Sequence, residues 1–134
     1  MTIDGAILGR LNAIAAVTAL TSTRIYALHL PQNPTLEALT FQQVSGVRVH
    51  AFGADRGLVE GRFQVDSWGN TFEEAKALAD AVRGDGAASA LSRWSGTQDS
   101  TVVQDILLNT ELDFFEDTSG DYRIMQDYTV WFEE

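Results

Sequence analysis

The sequence predicts an α+β fold, an antiparallel β-sheet with helices packed on one face, and three observations carry that prediction. Between residues 62 and 83 the hydrophobic period changes from two to about 3.6 across one short turn, which marks a strand feeding a helix. Apolar residues at helical spacing open the chain. Alternating segments then come in two pairs, one before and one after the central helix, each pair joined by turn-forming residues. The order helix, two strands, helix, two strands argues hairpins in one sheet, with the helices gathered on one side.

Ile3, Ile7, Leu8, Leu11, Ile14 and Ala15 form a stripe from which Arg10, Asn12 and Thr18 fall away, so a first helix is expected over residues 4–20. Residues 39–44 and 47–52 read as two strands, or as one strand interrupted at Gly46, where a bulge restarts the alternation. Residues 58–68 are the partner. The intervening 51–57, with Gly53 and Gly57, is expected to form an extended hairpin tip. Phe63, Val65 and Ser67 alternate with Arg62, Gln64, Asp66 and Trp68, giving this strand two unlike faces.

Gly69 and Asn70 stand where the period changes. Thr71 is placed to cap the next helix by accepting from the Glu74 amide, with Glu74 reaching back to the Thr71 amide. Phe72, Ala75, Leu78, Ala79 and Val82 make its apolar stripe, and Gly84 suits a left-handed stop. Residues 87–91 suggest a short helical turn and 95–100 a loop. Residues 101–108 and 112–116 suggest a long bent strand, 118–121 a turn and 122–132 the last strand. No repeat, low-complexity tract or linker interrupts the chain, so residues 1–134 read as one domain.

Composition excludes several classes. The 45% apolar content sets the chain outside the disordered regime. Without cysteine there is no disulfide, thiolate zinc site or cysteine nucleophile. No apolar run approaches the roughly 20 residues of a membrane span, and the start lacks the basic residues and long apolar block of a signal peptide, so a soluble protein made in the cytoplasm is expected.

Charge is concentrated. From Asp105 onward nine acidic residues stand against Arg123 alone, which is −8 of the net −10. One reading is a solvated acidic face that keeps the protein dispersed; the other is a surface turned toward passing DNA. Gripping DNA would need clustered cations. Lys76 is the only lysine and the eight arginines are scattered, so repulsion is expected at any encounter.

No catalytic constellation emerges. His29 and His50 are the only imidazoles, neither at metal spacing from another ligand, and no Ser-His-Asp set can be assembled. Asp66, Asp105, Asp113 and Glu116 could share a divalent cation, although an acidic chain produces such sets by chance. Gly53 and Gly57 flank a hairpin tip instead of opening a phosphate-binding helix. No cofactor, metal or nucleotide is expected, and no enzymatic activity. Aromatic residues are the better candidates for function. Trp68 is expected against a helix, with a subunit contact as the alternative; Trp94 is harder to bury in a monomer; Phe52 stands at the hairpin tip with Asp55 and Arg56. Arg24 and Arg83 are placed for ion pairs with neighbouring acids.

A strand ending Val65-Asp66-Ser67-Trp68, a small turn, and Glu74-Ala75 opening an Ala-rich helix that ends Ala81-Val82-Arg83 together resemble the tail completion or tail terminator proteins of long-tailed phages and phage-derived particles. Further pieces match in order: the N-terminal helix runs into Arg24-Ile25-Tyr26, a loop holds Pro31 and Pro34, and the chain closes on Tyr122-Arg123 with Asp127-Tyr128-Thr129-Val130-Trp131. Each motif is short, and their common order carries the resemblance. It implies a structural virion protein, assembled in the host cytoplasm and located in the tail. Its subunits would close into a ring, six in number, that caps the tail tube, ends its polymerisation and offers a surface to the head-tail connector, with DNA passing the lumen. Phe52, Asp55, Arg56, Trp68 and Trp94 are the expected subunit or tube contacts. Another minor tail or connector subunit, a monomeric binding module and an acidic metal-dependent hydrolase are the alternatives.

Overall fold

Two long strands form the centre of the molecule. β3 (Ala54–Gly69) and β6 (Asp121–Glu133) run antiparallel in one unbroken register, from Leu58 opposite Glu133 to Gly69 opposite Tyr122. The computed structural model describes residues 3–32, 34–86 and 89–134, and for 54–56 the backbone alone. β2 (Ala38–Ala51) flanks β3, and β5 (Thr101–Glu116) flanks β6, both antiparallel. Two three-residue strands lie outermost, β1 (Ile25–Ala27) beside β2 and β4 (Gly96–Gln98) beside β5, giving the order β1-β2-β3-β6-β5-β4. β1 runs parallel to β2, with Ile25 opposite Leu39, so the sheet is mixed where the sequence predicts an antiparallel one. Three residues are too few for alternation to show, which is why the sequence reveals four strands.

The faces follow from the pleat. Val59, Phe63 and Val65 on β3 lie opposite Phe132, Tyr128 and Gln126 on β6, and all six are buried. Side chains from α1 (Ile3–Ala13), α2 (Ala15–Thr21) and α3 (Phe72–Arg83) cover this side: Ile7, Leu11, Val17, Leu78 and Val82 join the same core as Phe41, Val103 and Ile106. Gly61 makes room within it. A Cβ there would stand 3.0 Å from the Phe132 ring and 3.1 Å from the Phe63 ring, so the two aromatics fill what a side chain would occupy.

The expected first helix is two helices, bent by 86°. Ile14 takes extended backbone at the break, and the bend keeps both Ile14 and Val17 in the core. Neither proline nor glycine marks the site, so the apolar stripe runs through it unbroken and conceals it from sequence reading. α3 starts as predicted, with Thr71 Oγ1 accepting from the Glu74 amide at 3.1 Å. Glu74 reaches one residue further back than expected and accepts from the Asn70 amide at 3.0 Å. Gly84 ends the helix at φ 75°, and a Cβ there would meet Ala90 Cβ at 2.7 Å, so both backbone and space demand glycine.

The β2–β3 hairpin differs from its expected form in two ways. Its register slips between Gln43 and Ser45 and again between Arg48 and His50, whereas Gly46, the expected bulge, pairs regularly with Gly61. Its tip is tight: Ala51 pairs with Ala54, so Phe52 and Gly53 alone make the turn and β3 begins inside the segment expected as loop. β5 is bent as expected, with irregularities between Val103 and Asp105 and between Leu108 and Thr110. Residues 95–100 include the short strand β4, and the helical turn expected over 87–91 lies partly outside the described residues.

Leu78 is fully buried between α3 and the sheet. Leu78→Ala should therefore destabilise by about 2–5 kcal/mol, as a core truncation that leaves a cavity. Urea melts test this; a loss under about 1 kcal/mol would mean that α3 does not rest on the sheet.

Candidate interaction surface

The face of the sheet turned away from the helices is polar and already partly buried by its own side chains. On β3, Arg62, Gln64, Asp66 and Trp68 project from it, beside Thr40 on β2 and Arg123 and Asp127 on β6. Gln64 Nε2 donates to both Asp66 carboxylate oxygens at 3.1 Å, and Thr40 Oγ1 to Oδ2 at 3.5 Å. Trp68 Nε1 donates to Thr40 Oγ1 at 3.0 Å. The Arg123 guanidinium stands over the Trp68 and Phe114 rings, at 5.4 and 4.6 Å from their centroids, while pairing with Glu116 at 3.2 Å and approaching Asp66 at 3.8 Å. Arg62 pairs closely with Asp127. Trp68 thus does not pack against a helix as expected: strand parity puts it on the uncovered face, where an arginine and a threonine take the helix's place.

Burial under these neighbours pushes the Asp66 carboxyl above its ordinary 3.8, against the lowering influence of the bonds from Gln64, the Arg123 charge and the bond from Thr40. The carboxylate serves to order this layer. Of the four acids weighed as cation ligands, Asp66 and Glu116 converge on Arg123, Asp113 pairs with Lys76 at 2.9 Å, and Asp105 pairs with Arg93 at 2.9 Å. Among the described residues no three His, Cys, Asp or Glu side chains are grouped to hold a metal. His29, after β1, and His50, near the end of β2, are both exposed.

The sequence-predicted contact residues fall in three places. Phe52 is fully exposed (111%) at the β2–β3 tip, and Val44, Val47 and Val49 are exposed along the same arm. Asp55 and Arg56 follow it on β3, with side chains outside the described residues. Trp94 is elsewhere and is no free aromatic. It packs against the core, and the Arg10 guanidinium, fixed by bonds of 2.8 and 3.2 Å to the Ala90 carbonyl, stands 4.8 Å from the ring centre. Arg24, placed for an ion pair, bonds the carbonyls of Glu37 (2.9 Å) and Leu20 (3.2 Å), and its charge acts on the Glu37 carboxyl, which burial and Glu74 push up and Arg24 draws down.

Charge on the C-terminal third is largely answered from within the molecule. Lys76 bridges α3 to Glu111 and Asp113 on β5 at 3.1 and 2.9 Å. Arg93, Arg62, Arg123 and Arg48 pair in turn with Asp105, Asp127, Glu116 and Glu134. The scattered arginines are thus distributed along the acidic strands. A shallow groove of about 610 Å³ lies at the Phe52 end, lined by Val49, Leu58, Gln104, Asp105, Trp131 and Glu133. Sequence reading missed this groove and Arg123 alike, because both depend on cross-strand register.

A protruding aromatic tip, a shallow groove beside it and an ordered polar layer are what the uncovered side of the sheet presents. The model of the family described as tail completion protein gp17 matches residues 5–133, and the chain belongs to that family of structural phage tail proteins. Its place is therefore the tail of a phage-type virion. No curated protein sequence matches the chain. Among solved structures, a chain from the virion of a native gene transfer agent particle is 18% identical and superimposes with a TM-score of 0.66, over 96% of this chain and 92% of that one. A second solved protein, 14% identical, gives 0.60 over 98% and 94%. These likenesses establish a shared fold.

Two outcomes follow from the packing. Trp94→Ala should cost about 1–3 kcal/mol in denaturant melts, since it removes a half-buried ring and its arginine partner's platform; no measurable loss would mean that Trp94 stands free of its own chain. For Asp66, a folded carboxyl that keeps its proton to higher pH than the unfolded chain favours folding at low pH, and that advantage is lost as pH rises through the folded value. The stability of Asp66→Asn relative to wild type should therefore improve as melts are taken from about pH 4 to about pH 7. A difference independent of pH would show that the carboxyl is not desolvated.

Proposed function

We propose that residues 1–134 act as one tail-terminator-like domain that closes into a ring, six subunits in number, on the end of a tail tube. The match to the tail completion family over residues 5–133 carries this reading. The ring stops tube polymerisation and offers its other side to the head-tail connector. It works by complementary surfaces and catalyses no reaction. Phe52, Asp55 and Arg56 at the hairpin tip are the primary contacts with the next subunit or the tube. Trp68 contributes through the polar sheet face, and Trp94 by holding the segment before β4 in place. DNA passes the lumen without specific binding; paired acids along β5 and β6 present weak fields, which a Debye length of roughly 8 Å at physiological salt screens further.

Six chains of 14.7 kDa give a particle of about 88 kDa (6 × 14.7). Small interfaces repay the entropy of association poorly, so rings are expected at high concentration or on the tube end. Negative-stain imaging of the protein mixed with purified tail tubes should show one ring at the tube tip, and Phe52→Ala should lose it while remaining folded. A wild-type protein that never caps tubes overturns the assignment, and binding to connectors alone would place it among other joining subunits.

A further inference from the structure

We propose that the open outer edges of β2 and β5 pair with each other between copies of this chain, so that the sheet continues from one subunit into the next. The inference rests on subunit association as proposed above and names the backbone contact that carries it. β1 lies beside β2 over residues 39–41 only, and Leu28, at φ 70°, turns the chain away once its amide has bonded the Phe41 carbonyl at 2.9 Å. β4 lies beside β5 over residues 101–103, and the Arg93 amide bonds the Ile106 carbonyl at 2.6 Å. Among the described residues no strand lies beside 42–51 of β2 or 107–116 of β5, two stretches of equal length. Neither contains lysine or proline, the residues that commonly blunt an exposed edge.

Direction, position and pleat fit the two edges to each other. β2 and β5 run in opposite directions, so copies set side by side in one orientation pair them antiparallel, as the long strands within the subunit already pair. The covered corners are diagonal: β1 takes the edge of β2 near Trp68, and β4 takes the edge of β5 near Phe132. With no shift the two short strands would hold β2 and β5 a strand's width apart. A shift along the strands brings the open stretches directly together, and closing a sheet of tilted strands requires such a stagger in one sense at every junction. Ser45 and Val47 pair with Arg62 and Glu60, and Leu112 and Phe114 with Met125 and Arg123, so all four side chains lie on the face away from the helices. Ser45–Arg48 and Thr110–Glu116 are free of register breaks, and Val47 set opposite Leu112 puts Ser45 opposite Phe114. That register covers apolar side chains that are 63% (Val47), 46% (Leu112) and 38% (Phe114) exposed in the single chain. A foreign strand on one edge, or two-fold pairing of β2 with β2 or β5 with β5, would leave the other edge of each copy open. The β2–β5 junction between copies uses both.

The absence of cysteine from the sequence allows a direct test. Val47→Cys and Leu112→Cys proteins, both substituted at exposed positions, are mixed under mild oxidation, in concentrated solution and in tails assembled with the two variants. Opposed Cβ atoms of antiparallel strands stand about 4.5–5.5 Å apart, which a small adjustment brings within reach of a disulfide. The mixed pair should therefore cross-link several-fold faster than either variant alone, and faster than Leu112→Cys with Tyr26→Cys, the pair that an unshifted arrangement would bring together. Hydrogen exchange reads the backbone itself: outward amides of residues 107–116 should exchange about tenfold more slowly in assembled tails than in the monomer. No excess of the mixed cross-link in either setting overturns the proposal, and so does faster coupling of either variant with itself or of Leu112→Cys with Tyr26→Cys. Normal tube capping with neither cross-link nor protection rejects the edge pairing and leaves the capping function standing. Mixed cross-linking in solution by a protein that never caps a tube supports the pairing and overturns the capping reading.

Discussion

The twelve consecutive pairs between β3 and β6, from Leu58–Glu133 to Gly69–Tyr122, impose the constraint on which the remaining structure depends, because a slip of one residue would exchange the two faces of both strands. With the register as it is, Phe63, Val65, Tyr128 and Val130 share one side and Arg62, Asp66, Arg123 and Asp127 the other. The apolar side must be covered, and the three helices cover it. A buried polar chain fixes their position: Tyr128 donates to Gln126 Oε1 at 3.0 Å, while Gln126 Nε2 donates to the Ala79 carbonyl at 3.1 Å and to Glu111 at 2.9 Å. One fully buried glutamine thus ties α3, β5 and β6 together, and leaving its donors or acceptor unmet would cost about 1–3 kcal/mol for each unsatisfied group.

Legibility in the sequence followed the range of the interaction. α3 could be read almost to the residue, since its cap, stripe and stop are local: Thr71, Leu78 and Gly84 all do what their spacing implies. The long strands were likewise visible by alternation, and Ser67, polar but in phase with Phe63 and Val65, is fully buried as that phase requires. What failed was set by distant partners. β1 and β4 exist because β2 and β5 offer edges; the bend at Ile14 exists because the core lies to one side; Trp68 contacts Arg123 because Gly69 pairs with Tyr122. The cover of Trp94 was hidden for the same reason, since it comes from Arg10, 84 positions earlier in the chain.

Net charge illustrates how far composition can mislead about a surface. The run from Asp105 to Glu134 looks uniformly acidic along the chain, yet Lys76, Arg62, Arg93, Arg123 and Arg48 are brought to it from four other parts of the molecule and from within. Exposed pairs of this kind contribute about 0–1 kcal/mol each to stability. Their larger effect is on the field, since neighbouring opposite charges cancel over distances beyond their separation. The acids near the β5–β6 turn, Asp117 and Asp121, lie where the strand pairing ends.

The two ends of the sheet are consequently unlike. Beyond Gln42 the β2 arm is exposed and carries Val44, Val47, Val49 and Phe52. At the opposite end of the β3–β6 ladder Leu112, Phe114, Phe115 and Phe72 are exposed beside the acidic turn, with Phe115 and Tyr122 rings 4.9 Å apart. A stable monomer would gain from polar residues at both positions. Large apolar side chains are thus held out on well-ordered strands at both ends, while the helices gather over the middle. The β3–β6 ladder and the helices over it therefore hold the core, and the hairpin ends extend beyond what that core covers.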